Sequence, residues 1–458
     1  MSVGHLTGRS VTELRFRIRP NEEVHLGEIL ISDGPKPFYL RVVDLEYGAD
    51  ARDGGWEDRV AGNLLAGHDV ELFDADQRLY KTAVAAPLGY LTEAGFRKPK
   101  TLPPHFAAVR RPREGDFKFL APKKGDLVLG HLRSGDEALP DLLGIEGKSL
   151  SQHIGIFATT GMGKSNLLKV LAASCLESGR IGLLVLDPHG EYADGGAGVH
   201  PDGTPHRGLL HHPRRDRLHV FTSRPIAGHS VHTLQMAATE IEPNDFQNVY
   251  NLSGPQEEAL WAMGQRFGKR WLLQLDAMDV ESLDQALGEG KFHPGTLNVL
   301  KRRAEQVMRQ GVIHSDEAVS TTPSILHQLH EGHVVLVDTS GLFPTEELLV
   351  SAVLARSALE SHRRAYRNPD EFRDLPPICI TLEEAQRVLN ARGGSQNVFA
   401  QIAREGRKFK VGLGAVTQQP RLISDELLSQ FNTQFILGLA DPTDRDRVKS
   451  GLAATPLT

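Results

Sequence analysis

The chain has 458 residues, 40% hydrophobic and 24% charged, with 45 glycines and 26 prolines, which excludes collagen-like, low-complexity and wholly disordered chains and leaves room for two or three domains. A net charge of −6 means that a nucleic-acid partner would have to be met by a local patch or a pore, not by the overall field. Two distant cysteines in apolar runs, Cys175 and Cys379, no uncharged apolar stretch near about 18 residues and no secretory leader in MSVGHLTGRSVTELRFR point to a cytoplasmic protein without disulfides, zinc knuckles or membrane spans.

Up to residue 140 the chain reads as short β-rich runs broken by turn residues: EVHLGEILISDG, FYLRVVDLEYG, VELFDADQRLYKTAVAAP and GDLVLGHLRSG. Such spacing predicts a small β-barrel over residues 1–140. Between Arg97 and Lys124, nine Lys or Arg face only two acids. This segment reads either as a solvated interdomain loop or as a docking face for nucleic acid or a partner.

From about residue 150 the texture becomes that of a parallel α/β sheet. HIGIFA reads as a strand, SNLLKVLAASCLES as a helix with Leu168, Leu171, Ala172 and Cys175 on one face, Gly179 as its stop and GLLVLD as the next strand. The charge-mixed stretch 225–325, with Trp261 and Trp271, reads as a helical insertion. Strands resume with HVVLVD, PPICITLEEA, VGLGAVTQ and FILGLADP. The expectation is one nucleotide-binding core of about five strands, its first part over 141–224 and its second over 326–458.

The sharpest motif is ATTGMGKS, Ala158–Ser165, set between a strand and a helix as a phosphate-binding loop must be. Thr160, Gly161, Met162, Gly163, Lys164, Ser165 and Asn166 are the candidate contacts to ATP. Backbone N–H groups at a helix N-terminus cradle the β-phosphate, the Lys164 ammonium reaches the β and γ oxygens, and the Ser165 hydroxyl holds Mg²⁺. A Cβ at Gly161 or Gly163 is expected to block the turn around the phosphate.

Two strand ends offer acids. GLLVLDPHGEY places Asp187 at one, as an outer contact to the phosphates or metal or simply as a loop cap; ICITLEEAQ places Glu383 and Glu384 at another. The pair suits Mg²⁺ (Glu383) and polarisation of the attacking water (Glu384). Gln418, followed by Gln419, ends a further strand where an amide can sense a γ-phosphate, or forms a plain polar turn. Arg404 and Arg407, in IAREGRKFK, are either stabilisers of charge on a transferred phosphoryl group or a solvated basic face. His211, His212 and the other histidines show no metal-ligand spacing.

Taken together, HIGIFATTGMGKSN, DPHGEY, VDTSGL, LEEA and IAREGRKFKVGLGAVTQQP resemble the HerA group of hexameric DNA translocases, relatives of the FtsK pumps. The resemblance implies an N-terminal HAS-barrel-like domain, a RecA-like P-loop ATPase core with inserted helices, and a homohexameric ring around double-stranded DNA. It implies docking of a NurA-like nuclease for DNA end resection and double-strand break repair. Some bacterial relatives instead pair with antiviral effectors, so the alternative is an ATPase scaffold of an antiphage defence complex. In a ring of RecA-like cores, Arg404 or Arg407 would act across the subunit boundary. Three positions depart from the family pattern: Gln386, where His is commoner, and Ala158 and Met162, where Gly and Ser are. The chain ends at Thr458, where a further C-terminal strand and tail is expected.

Overall fold

Leu14, Phe16 and Ile18 are buried while Arg15 and Arg17 between them are half-exposed, the period of two that a strand with one face on a core requires. That strand belongs to the first of two units in a computed structural model that describes residues 2–49, 55–70, 79–195, 199, 203–226, 228, 230–250, 252–309, 311–390 and 397–453. One unit holds residues 1–125 and 130–144, the other residues 126–129 and 145–458.

In the first unit, β1 (Ser2–Arg9), β2 (Leu14–Ile18), β3 (Ile29–Ser32), β4 (Phe38–Ala49), β5 (Leu79–Thr92), β6 (Gly95–Arg97) and β7 (Ala108–Arg110) form one antiparallel sheet in the order β2-β1-β7-β3-β4-β5-β6. A further pairing of β2 with β5 closes six of these strands into a barrel around Leu6, Phe16, Leu30, Leu40 and Ala85. Register shifts between Tyr39 and Leu40 and between Val42 and Asp44 break the long β4, as curvature demands. The strands β1 and β2 lie ahead of the first β-rich run named from the sequence, and residues 71–78 of the run VELFDADQRLYKTAVAAP lie outside the described residues. Arg110 and Arg111 of the basic 97–124 segment form ion pairs inside this unit. Arg110 pairs with Asp33 at 2.8 Å and Asp116 at 2.7 Å, and Arg111 with Glu22 and Glu28 at 2.9 Å each. The Lys123 side chain lies outside the description. A hairpin of β8 (Leu127–Ser134) and β9 (Glu137–Ile145) follows.

The second unit is built on eight parallel strands: β10 (Ile154–Phe157), β11 (Gly182–Asp187), β12 (Leu218–Thr222), β13 (Val231–Thr233), β16 (Val334–Asp338), β17 (Ile378–Leu382), β18 (Val411–Thr417) and β19 (Thr433–Ile436). Their order is β13-β12-β16-β11-β17-β18-β10-β19; a separate two-stranded ladder joins β14 (Met236–Ala237) to β15 (Ile313–His314). The sheet exceeds the expected five or so strands because β12 and β13, each interrupted by a histidine, extend one side.

Both faces are covered, so the central strands are continuously apolar. On one face the helix Lys164–Ser178 lays Leu168, Leu171, Ala172 and Cys175 against Ile156, Val185 and Leu336, and stops at Gly179, whose φ is 61°. On the other, the helices Pro344–Ala365 and Val398–Glu405 cover Leu186, Val337 and Leu413. The helices Pro243–Val249, Gly254–Phe267, Trp271–Ala277, Val280–Leu287 and Pro294–Met308 share this second cluster through Met263, Leu272, Leu297 and Leu300. Arg356 fastens them to the core, pairing with Asp245 at 2.7 Å and Glu242 at 3.1 Å. Trp271 is buried there, its indole N–H donating to Ile241 O at 2.7 Å. The two units are thus a P-loop ATPase fold and an antiparallel barrel. Among the described residues no helix is long and apolar enough to cross a membrane.

Candidate nucleotide site

Because the strands run parallel, the C-terminal ends of β10, β11, β16, β17 and β18 fall on one edge. Phe157 pairs with Thr417, Asp187 with Asp338 and Leu382 with Ala415. In open α/β sheets such an edge is where ligands bind. Here it bears a cleft of about 590 Å³ lined by Thr160, Gly161, Gly163, Lys164, Ser165, Asn166 and Lys169 from the loop and its helix, with Glu383, Glu384 and Gln418 opposite.

The loop is shaped by two left-handed glycines, Gly161 at φ 79° and Gly163 at φ 91°. An added Cβ would meet no protein atom within 4 Å at either position. Glycine is therefore demanded by the backbone angle, and the expectation of a blocked turn is corrected to one of strain. Gly163 caps the helix, so the N–H groups of Lys164, Ser165 and Asn166 have no intrahelical acceptor and point at the cleft. Ala158 takes the place of the pattern's first glycine, fully buried. Met162, counted among the ATP contacts from sequence, does not line the cleft: its N–H faces Thr159 O at 3.3 Å and its side chain is exposed.

Asp187 does not line the cleft either. Its carboxylate accepts the backbone N–H of His189 at 3.1 Å, Gly190 at 2.7 Å and Tyr192 at 3.1 Å, which is the loop-cap alternative. Burial raises its pKa against those bonds. The loop it shapes is pinned from behind, since Arg224 donates to Asp338 at 2.6 Å and to Gly190 O at 3.0 Å. That loop delivers two groups that the sequence motif left without a role. The Ser165 hydroxyl donates to Glu191 Oε1 at 3.1 Å, and the buried Tyr192 hydroxyl donates to Glu383 Oε1. Both stand in DPHGEY, so the signal was present, but only its first residue drew a role.

Glu383 and Glu384 are both at the cleft, in different settings. Glu383 is 8% exposed, and burial pushes its pKa up to about 6, helped by the charges of Glu191 and Asp187 and opposed by the Tyr192 hydroxyl and His189. Glu384 is half-buried, with left-handed backbone at φ 49°; its Oε1 accepts Gln418 Nε2 at 3.1 Å and its Oε2 accepts Gln386 Nε2 at 2.5 Å. His189, His206 and Arg207 also line the cleft. The latter two come from an irregular segment whose placement no periodicity announces.

Arg404 and Arg407 are elsewhere. They line a second groove of about 610 Å³ with Glu405, Lys408 and Phe409. The helix carrying Arg404 ends at Glu405 and Arg407 lies in the tighter turn Gly406–Phe409, so the two do not share a helical face. Arg404 is ion-paired to Glu426 at 2.7 Å.

The donor set fits the expected cofactors. Free helix N–H groups, two left-handed glycines and a lysine suit a polyphosphate. The Ser165 hydroxyl with the carboxylates of Glu191 and Glu383 are the hard oxygens that Mg²⁺ takes, few in number because that ion keeps several waters.

A profile described as the central domain of the helicase HerA matches residues 127–358. The DNA double-strand break repair helicase HerA of Pyrococcus furiosus is 23% identical over 357 residues, covering 65% of this chain and 58% of that protein. The HerA helicase of Sulfolobus acidocaldarius is 26% identical over 312 residues, covering 65% of this chain and 57% of that protein. The chain thus spans less than two thirds of the length of these relatives. Among solved structures, VirB4 of Thermoanaerobacter pseudethanolicus superposes with a TM-score of 0.46 at 14% identity, covering 72% of this chain and 89% of that one.

Proposed function

We propose that this chain, which belongs to the family of the helicase HerA central domain, is an ATPase of a HerA-type ring that drives double-stranded DNA through its centre and works with a NurA-like nuclease in end resection. The observation that carries the reading is the meeting of Lys164, Ser165, Glu383, Glu384 and Gln418 in one cleft at the sheet edge, drawn from strands far apart in sequence.

Each side chain then has a task. The N–H groups of Lys164 to Asn166 and the Lys164 ammonium hold the phosphates of ATP, and Ser165 and Glu383 hold Mg²⁺. When bound, that ion neutralises charge on the β and γ oxygens. Glu384 accepts the proton of the attacking water at its carboxylate, and Gln418, at the end of the neighbouring strand β18, faces the γ position. Arg404 or Arg407 from a neighbouring copy meets the charge that develops on the phosphoryl group. Supporting this, neither arginine lines its own cleft.

The test is ATP turnover of the purified chain with and without linear duplex DNA. Stimulation by duplex ends is expected; turnover indifferent to DNA overturns the translocase reading while leaving the ATPase.

A further inference from the structure

Glu384 is held at both oxygens, by two amides that differ in what stands behind them. An ionised carboxylate only accepts hydrogen bonds, so Gln386 and Gln418 must each turn their nitrogen toward it and their oxygen away. Each outward oxygen is then met by a hydroxyl. Thr417 Oγ1 donates to Gln386 Oε1 at 2.6 Å, and Thr160 Oγ1 donates to Gln418 Oε1. Thr417 is fully buried at the end of β18, and its hydroxyl also accepts the N–H of Gln419 at 3.0 Å. Thr160 stands in the phosphate loop itself.

We propose that Gln386 is the positioning residue of this site, holding the Glu384 carboxylate at a fixed place relative to the sheet through Thr417, while Gln418 is the arm that follows the phosphate loop. The assignment rests on the reading of Glu384 as the base. Phosphate binding engages the loop that carries Thr160, and so acts directly on the bond that orients Gln418. It does not act directly on the Thr417 hydroxyl, which meets Gln386 Oε1 and the Gln419 N–H, although the Thr417 carbonyl accepts the Ala158 N–H of the loop at 3.3 Å. Gln386 is therefore the hold that persists when nucleotide is bound. Its loss lets the carboxylate swing while the loop, Lys164 and Ser165 stay intact. The left-handed backbone of Glu384 adds to the need, because the φ of 49° sets the side chain's exit direction and the amide at 2.5 Å fixes where it ends.

The experiment compares Gln386→Ala, Gln386→His, Thr417→Val, the Gln386→Ala/Thr417→Val double variant and Glu384→Gln in the full chain. It measures kcat and KM for ATP, the affinity for a fluorescent ATP analogue, and thermal melting. Gln386→Ala is expected to lower kcat by about 10- to 100-fold, the scale of a misplaced reacting group, with KM, analogue affinity and melting close to those of the parent. The imidazole N–H of Gln386→His can donate to Glu384 and should restore part of the loss. Thr417→Val should cost several-fold alone and almost nothing added to Gln386→Ala, because both act through one chain of bonds. Turnover of Gln386→Ala within twofold of the parent overturns the proposal. So does a loss of affinity matching the loss of kcat, or additivity in the double variant. If Glu384→Gln itself hydrolyses ATP normally, the base reading falls and the clamp with it; if Glu384→Gln is inactive while Gln386→Ala is normal, the clamp alone falls.

Discussion

Glu383 and Glu384 are neighbours in sequence and opposites in setting, and the difference separates their roles. Glu383 is buried beside Glu191 and Asp187, so its ionised form is disfavoured until a cation arrives; Glu384 rests between two neutral amide donors. The buried carboxyl makes a stability prediction. With a pKa of about 6 in the fold against 4.5 in the free chain, both states are protonated below pH 4.5 and nothing is lost. As pH rises toward 6 the unfolded chain releases its proton first, and stability falls by about 2 kcal/mol and stays down. Glu383→Gln keeps an acceptor for Tyr192 and removes that loss. In urea unfolding without nucleotide it should be more stable than the parent at pH 7.5 and no more stable at pH 4. Equal midpoints at both pH values would show that Glu383 carries no such penalty. Glu383→Gln should also weaken Mg²⁺-dependent hydrolysis. Lys164→Ala, which removes the point charge at the β and γ oxygens, should abolish turnover while leaving the melting curve unchanged. Near-normal hydrolysis by folded Lys164→Ala would remove the phosphate-loop assignment.

At the level of elements, the loop Ala158–Ser165 and its helix were legible because their chemistry is local: a strand, a short turn with two glycines, a lysine and an amphipathic helix occupy one continuous stretch. The reason for the glycines was not, since only the φ values show that angle and not room demands them. Replacing Gly163 with Ala should cost about 1–2 kcal/mol of strain in the loop, read as weaker ATP binding. An unaltered affinity would mean that the turn can relax. What stayed illegible depends on non-local placement. Asp187 looks like a metal ligand at a strand end until three backbone N–H groups are seen to consume its oxygens. Arg404 and Arg407 lie three apart, and a continuing helix would have aligned them, but the helix gives out at Glu405. His206 and Arg207 reach the cleft from an irregular connection, and the strands β12 and β13 are interrupted by His219 and His232. Gln386 drew notice only as a departure from a family pattern; its bond to Glu384 gives it a reason.

For the whole molecule, the cleft's own arginine, Arg207, and the distant pair Arg404 and Arg407 pose a choice about assembly. A P-loop site that draws its stabilising guanidinium from a neighbour hydrolyses ATP only in a closed ring, and the replacement of that arginine typically costs about 10³-fold or more in kcat. Both arginines are exposed, but Arg404 is engaged with Glu426 inside its own subunit, so Arg407→Ala should give the larger loss. Mixing decides between cis and trans. In rings assembled from Arg407→Ala and Lys164→Ala subunits, some boundaries place an intact phosphate loop against an intact Arg407, and turnover should partly return. In rings mixed from Arg207→Ala and Lys164→Ala subunits it should not, because a residue lining its own cleft must share a chain with its lysine. Recovery in the second mixture and not in the first would move the trans role from Arg407 to Arg207, and recovery in neither, with mixed rings demonstrated, would place both arginines in cis or outside the reaction.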